Sequence, residues 1–212
     1  MIEVKHVNKT LSHRLILNDI NYNFEYGRVY GLCGPNGSGK TMLLRTIAGL
    51  LVPDSGEVVI DGKVLHKDIS FPPNVGLVIE NMTLLPQYSA MDNLRLIAEL
   101  KKIATEEDMK TALKRVGLDS DLKVRKFSLG MKQRLNIAQA IFEKQTVILL
   151  DEPTNALDES GVQLIYQLIR EEKERGALVV VATHHEADLQ EMCDTILGIS
   201  EGKLYEKKQA AD

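Results

Sequence analysis

The chain has 212 residues, 44% hydrophobic and 26% charged, the balance of an ordinary globular protein. Lys plus Arg number 26 against 30 for Asp plus Glu, a net charge of −4, which argues against wrapping a nucleic acid over a broad basic surface. No apolar run approaches the roughly 20 residues that span a bilayer, and the opening MIEVKHVNKT lacks the basic and apolar regions of a secretion signal.

Cys33 and Cys193 lie too far apart in sequence for a ligand pair, and both read as small core hydrophobes of a reduced, cytosolic chain. Strands are predicted first. Ile2 to Val7 alternates, and Ile20, Tyr22 and Phe24 share one face of a second strand that Gly27 ends. Val29 to Cys33 is a short apolar run before a glycine-rich loop. Thr41 to Leu50 has helical spacing, Pro53 to Gly56 is a turn, and Glu57 to Ile60 and Val75 to Ile79 are strands.

Helix dominates between about residues 89 and 144. Met91 to Ile103 is amphipathic, with Leu94, Ile97, Ala98 and Leu100 or Lys101 on its apolar stripe. Thr105 opens a loose capping box, Gly117 ends a helix, and Ser128 starts another that turns Met131, Leu135, Ala138 and Phe142 to one side. Val147 to Leu150 is a strand. A helix from Glu159 to Arg175 buries Val162, Ile165, Leu168 and Ile169 and stops at Gly176. Ala177 to Thr183 reads as a strand buried on both faces. A short helix from Glu186 to Met192 and a strand from Ile196 to Ile199 follow, and the tail EKKQAAD is expected to fray.

Gly34, Pro35, Asn36, Gly37, Ser38, Gly39, Lys40 and Thr41 spell G-x-x-x-x-G-K-[ST] between a strand and a helix. Glycines let successive N–H groups curl toward an anion, and the helix N-terminus adds partial positive charge. Lys40 is placed to bridge the β- and γ-phosphates of a nucleotide, and the Thr41 hydroxyl to bind Mg²⁺. A plain glycine-rich turn is the competing reading, which the strand and helix flanks disfavour. In VILLDE, an apolar strand delivers Asp151 and Glu152 to its C-terminal end, where ligands bind in open α/β sheets. Asp151 is the expected Mg²⁺ ligand, and Glu152 the general base facing the γ-phosphate. Alone, this carboxylate pair would read as a solvated turn.

Phe127 to Leu135, FSLGMKQRL, lies between the phosphate loop and the Asp151 strand and resembles the signature of the ATP-binding cassette (ABC) family, usually written LSGGQ. The resemblance covers nearly the whole chain. It implies one domain over residues 1–212: an α/β P-loop NTPase (RecA-like) core with a mostly parallel sheet, an antiparallel β subdomain and a helical subdomain near 89–144. It implies ATP and Mg²⁺ as cofactors, and ATP hydrolysis by two chains that sandwich nucleotide head to tail. Ser128 and Gly130 of one copy would then grip the γ-phosphate held by the other. Asn155 to Asp158 resembles the family's D-loop, and His184 its switch histidine, with Asp194 ten positions on favouring His184 over His185. A metal site at the two histidines is disfavoured, since consecutive helical residues do not share a face and no third ligand is evident.

Four positions depart from the pattern. Leu129 and Met131 replace the first glycine and the glutamine of the signature. Glu80 stands at the Q-loop position, still able to approach Mg²⁺ or water. Leu11 stands where an adenine-stacking aromatic belongs, with His13 the candidate substitute. These departures resemble the antibiotic-peptide and multidrug-export branch of bacterial ABC proteins, especially bacitracin and lantibiotic exporters. The implied role is the ATPase subunit of a membrane transporter, held at the inner face of the membrane by a separate permease, with export favoured over import by a short chain without a regulatory C-terminal domain. The coupling surface would be Glu80 to Tyr88 and the helices beyond, with Met82, Leu84 and Leu85 as either docking patch or core. A soluble ABC-type mechanoenzyme acting on nucleic acid or the ribosome is the alternative, weakened by the absence of a long heptad run or a second cassette. A nucleotide-gated binder that hydrolyses poorly is a third reading, against which Glu152 argues.

Overall fold

The computed structural model describes residues 1–79 and 83–207. The expectations for Glu80 and Met82, and for the tail beyond Lys207, fall outside them.

Two strands, β1 (Ile2–Leu11) and β2 (Arg14–Phe24), form a hairpin closed by Ser12 and His13 at φ 46° and 62°. Positive φ at both turn residues matches the twist of the flanking strands. Both strands extend well beyond their predicted bounds, and register shifts interrupt the ladder from Val4 onward. With β4 (Ser55–Ile60) and β5 (Lys63–Val64) they make a four-stranded antiparallel sheet in the order β2-β1-β4-β5.

The second sheet holds β3 (Val29–Cys33), β6 (Val75–Val78), β7 (Val147–Asp151), β8 (Leu178–Ala182), β9 (Thr195–Ser200) and β10 (Lys203–Glu206). Its order is β10-β9-β3-β8-β7-β6, parallel throughout except for β10. Every residue of β3, β7 and β8 is buried, the reason those segments are almost wholly apolar. Their side chains alternate between two cores. Tyr30, Leu32, Leu149 and Val180 face α1 (Lys40–Ile47) and the antiparallel sheet. Val29, Ile148, Leu150 and Val181 face the helical side.

That side is built from α2 (Ala90–Lys101), α3 (Glu106–Arg115), α4 (Leu129–Ile141), α5 (Glu159–Glu174) and α6 (Glu186–Met192). Ser89 caps α2. Thr105 and Asp108 complete a reciprocal capping box on α3, and Gly117, at φ 63°, follows its end. The stripe expected on α2 needs one correction. Leu94 and Ala98 are buried, but Leu100 is 82% exposed because it lies six positions from Leu94, well off that face of the helix. The buried Asn93 takes part instead, bonding the Leu85 backbone through both Oδ1 and Nδ2. Leu84 is core, whereas Leu85 is exposed.

Two features join the sheets. Phe24 packs edge-on against Tyr30 with centroids 5.1 Å apart. At the open end, β10 reaches β2: the Asn18 N–H donates to Gly202 O at 2.8 Å, and the Tyr22 hydroxyl to Glu206 Oε1 at 3.0 Å. β10 was not expected from the sequence. Both cysteines are free and buried, and burial pushes the Cys193 thiol up to about 12. Among the described residues no helix is long and apolar enough to cross a membrane.

Candidate functional site: a nucleotide cleft

The strand order β3-β8-β7 sets three C-terminal strand ends side by side. They deliver the phosphate loop, Thr183 with His184, and Asp151 with Glu152 to one edge of the sheet. In the loop, Gly34 has φ 152° and a Cβ there would fall 2.3 Å from Ile199 O; at Gly39, φ 115°, it would fall 2.8 Å from Ile16 O. Neither position accepts a side chain. Gly39 precedes α1, whose first turn carries no acidic residue, so its N-terminal N–H groups keep their attraction for an anion. Ser38 Oγ is buried in the loop with no hydrogen-bond partner among the described residues.

Lys40 is buried, its ammonium donating to Gly34 O at 2.7 Å and Pro35 O at 3.3 Å. The Thr41 hydroxyl donates to Asp151 Oδ2 at 2.6 Å. Two hard oxygen donors therefore meet beside the phosphate loop, which fits a divalent cation that takes its remaining ligands from phosphate and water. Among the described residues no three His, Cys, Asp or Glu side chains gather as an all-protein metal cage.

Glu152 adopts φ 49° and is pinned to the neighbouring strand by its N–H to Ala182 O at 2.7 Å. Its carboxylate accepts from three groups: the Thr183 hydroxyl at 2.8 Å on Oε2, and on Oε1 the His184 N–H at 3.1 Å and His184 Nδ1 at 2.8 Å. For that last contact to be a hydrogen bond Nδ1 must carry the proton, which fixes the tautomer of a neutral ring. The two histidine rings lie side by side, centroids 3.9 Å apart, contrary to the helical argument made from sequence. Both precede α6, in non-helical backbone. Asp194 anchors the far side of this region, accepting from the Val29 N–H at 2.8 Å. Burial raises its carboxyl, but the Lys173 ammonium and that N–H outweigh it and hold the group below the ordinary carboxylate range.

The cleft in front of the loop measures about 510 Å³. Asn36, Gly37, Gly39, Lys40, Thr41, Asp151 and Glu152 line its phosphate-loop side, and Leu11, Arg14 and Ile16 of the hairpin line the other. Arg14, not His13, shares this wall with Leu11. Arg14 pairs with Leu11 across the turn, while His13 occupies the turn itself. Nothing in the sequence reading singled out Arg14 or Thr183. The hairpin register would have found the first, and adjacency to His184 the second.

Ser128 and Gly130 lie apart from this cleft, on a surface shared with Leu129, Met131, Arg134 and Ala156 to Asp158. Ser128 caps α4, its Oγ accepting from the Met131 N–H at 3.2 Å, and Leu129 stands 72% exposed at the helix tip. A Cβ on Gly130 would fall 2.8 Å from Ala156 O, so this glycine is already required by the close approach of the Asn155–Asp158 loop. Asp158 caps α5 through the Gly161 N–H at 3.0 Å and accepts from Arg134 at 3.2 Å. Gln133 reaches from α4 to the backbone oxygens of Glu152 and Pro153, both at 3.2 Å.

A family model described as ABC transporter matches residues 17–155. The ABC transporter ATP-binding protein YybJ of Bacillus subtilis is 53% identical over 206 residues, covering 96% of this chain and 94% of that protein. The lantibiotic transport ATP-binding protein SrtF of Streptococcus pyogenes is 34% identical, covering 99% and 91%. Among solved structures, the dimeric post-hydrolysis state of the ATP-binding cassette MJ0796 bound to ADP and Pi superposes with TM-score 0.89 at 28% identity over the whole of both chains. The family match across well over half of the sequence, together with these near full-length relatives, shows that the chain belongs to the ABC transporter family.

Proposed function

We propose that the chain hydrolyses ATP to ADP and phosphate as the motor subunit of a membrane transporter, at the inner face of the membrane, coupled to a separate permease and working in export. One observation carries the hydrolytic part: Glu152, held by Thr183 and His184, lines the same cleft as Lys40, Thr41 and Asp151. The lantibiotic-transport relative supports the role in membrane transport.

On ATP entry the Lys40 ammonium exchanges the Gly34 and Pro35 carbonyls for phosphate oxygens, and the loop N–H groups receive the remaining charge. Thr41 and Asp151 would hold magnesium, which when bound would supply positive charge against the phosphate oxygens. Glu152 accepts the proton of the attacking water, and His184, bonded to it, orients the carboxylate. The exposed α4 tip, Ser128 to Gly130, completes the site of a second copy, in keeping with the dimeric MJ0796 cassette. Phosphate release by the purified chain with magnesium and ATP, with and without membrane proteins recovered alongside it, tests the reading. Turnover stimulated by a membrane protein is expected. Recovery with ribosomes or DNA ends, and no stimulation by a permease, would overturn it.

A further inference from the structure

Outside the nucleotide motifs, one carboxylate is fully engaged by residues from two other segments. Asp188, in the first turn of α6, accepts from the Thr154 hydroxyl at 2.7 Å on Oδ2 and from the Tyr166 hydroxyl at 2.8 Å on Oδ1. Thr154 is 7% exposed and stands two residues past Glu152. Tyr166 is 5% exposed and lies two turns into α5, whose cap, Asp158, ends the same loop. Asp188 stands four residues past His184, which binds Glu152. The contacts therefore close a ring: Glu152 to Thr154 along the chain, across to Asp188, back along the chain to His184, and across to Glu152. Among the described residues Asp188 has no ion pair, and its half-buried carboxylate is met by two hydroxyl donors that are themselves buried.

We propose that Asp188 is a positioning residue for ATP hydrolysis: through Thr154 and Tyr166 it fixes the loop carrying Glu152 against the segment carrying His184. The inference rests on reading Glu152 and His184 as the hydrolytic pair. Without the tie, the hydrogen bonds that join the two segments among the described residues are the one where they leave the sheet and those at the Glu152 side chain itself, the group that must engage water. Burial first, and then the bond to Asp188, raise the Tyr166 phenol above its ordinary value, so it remains a donor throughout the working pH range. Tyr166 extends the tie to α5, and so to the loop packed on Gly130. A carboxylate released to drift by ~1 Å loses on the order of 10²-fold in rate, while groups that bind ground-state ATP on the other strand end are untouched.

The test uses the full-length chain and Thr154→Val, Thr154→Ser, Tyr166→Phe and Asp188→Ala. Thr154→Val and Asp188→Ala are expected to lower kcat about 10- to 100-fold with KM for ATP within twofold. Thr154→Ser, which keeps the hydroxyl, restores kcat. Amide exchange is the second readout: Thr154→Val should speed exchange in residues 183–188 as well as 152–158, and Asp188→Ala in both likewise. Wild-type kcat in Thr154→Val and Asp188→Ala, or faster exchange confined to the substituted segment, overturns the proposal. Loss of rate in Thr154→Ser equal to that in Thr154→Val overturns it as well. If the unmodified chain turned over no ATP, the reading of Glu152 would fail, while the exchange measurement would still decide the tie.

Discussion

Replacing Glu152 by Gln separates chemistry from architecture. Glutamine keeps one acceptor oxygen. Placed at the Oε1 position, it retains the bonds from the His184 N–H and Nδ1. Its NH₂ then faces the Thr183 hydroxyl, which must turn from donor to acceptor while still receiving the His185 N–H at 3.1 Å. At most one hydrogen bond of the three is weakened, about 0.5–1.5 kcal/mol. For a chain of this length that corresponds to about 1–6 °C in Tm. Loss of a general base instead removes about 10²–10⁴-fold in rate, or roughly 2.7–5.4 kcal/mol of transition-state stabilisation. The catalytic loss therefore exceeds the structural one severalfold. Phosphate release, calorimetric ATP affinity and thermal denaturation on one preparation give all three quantities. The expected result is collapsed turnover with near-normal affinity and Tm, and an ATP-retained dimer by light scattering. Turnover at the wild-type rate would refute the assignment, and so would a fall in affinity matching the fall in rate.

Lys40→Ala removes a charged donor from the loop and should weaken ATP binding by about 1.5–3 kcal/mol, measured by calorimetry; unchanged affinity contradicts the phosphate-loop reading. Arg14→Ala should weaken ATP more than tripolyphosphate, since Arg14 lines the wall across the cleft from the loop; equal losses for both would place its contact on phosphate. Gly130→Ala drives a Cβ to 2.8 Å from a backbone oxygen and should cost about 1–3 kcal/mol in denaturant unfolding, with no change expected only if the Ala156 loop can retreat freely. The Lys144 ammonium at 2.8 Å, then the Thr105 hydroxyl, hold Asp108 below its ordinary 3.8. A depressed carboxyl stabilises the fold above its unfolded pKa and loses that contribution as pH falls through the folded value. Asp108→Asn should therefore lower Tm near neutrality and converge on wild type in strong acid; a gap independent of pH refutes the account.

What the sequence disclosed follows where local chemistry and tertiary demand agree. β3, β7 and β8 are buried on both faces, so their apolar runs are unambiguous, and the loop after β3 needs glycine at Gly34 and Gly39 for reasons visible as collisions. The capping box on α3 is a purely local device and was equally plain. The hairpin was not. Ser12 and His13 both adopt positive φ without the Asn-Gly pattern that ordinarily marks such a turn, so the partner of Leu11 went unrecognised and His13 stood in for Arg14. β10 is short, largely exposed and charged at both ends, and only pairing with β9 makes it a strand. Leu100 was misplaced by counting hydrophobicity rather than angle. The grouping of Thr183, His184 and Glu152 depends on β7 and β8 being neighbours, which no local pattern encodes.

The small β9–β10 hairpin closes on the antiparallel sheet beside the phosphate loop, at the same Ile16 oxygen that Gly39 of the loop approaches. Gly202 receives the Asn18 N–H, and a Cβ there would strike Ile16 O at 2.7 Å, just beyond the arginine that edges the cleft. The antiparallel sheet is thus held against both the phosphate loop, at Gly39, and the β9–β10 turn, at Gly202. A side chain at position 202 would have to displace the Ile16 backbone, and Ile16 is part of the cleft wall.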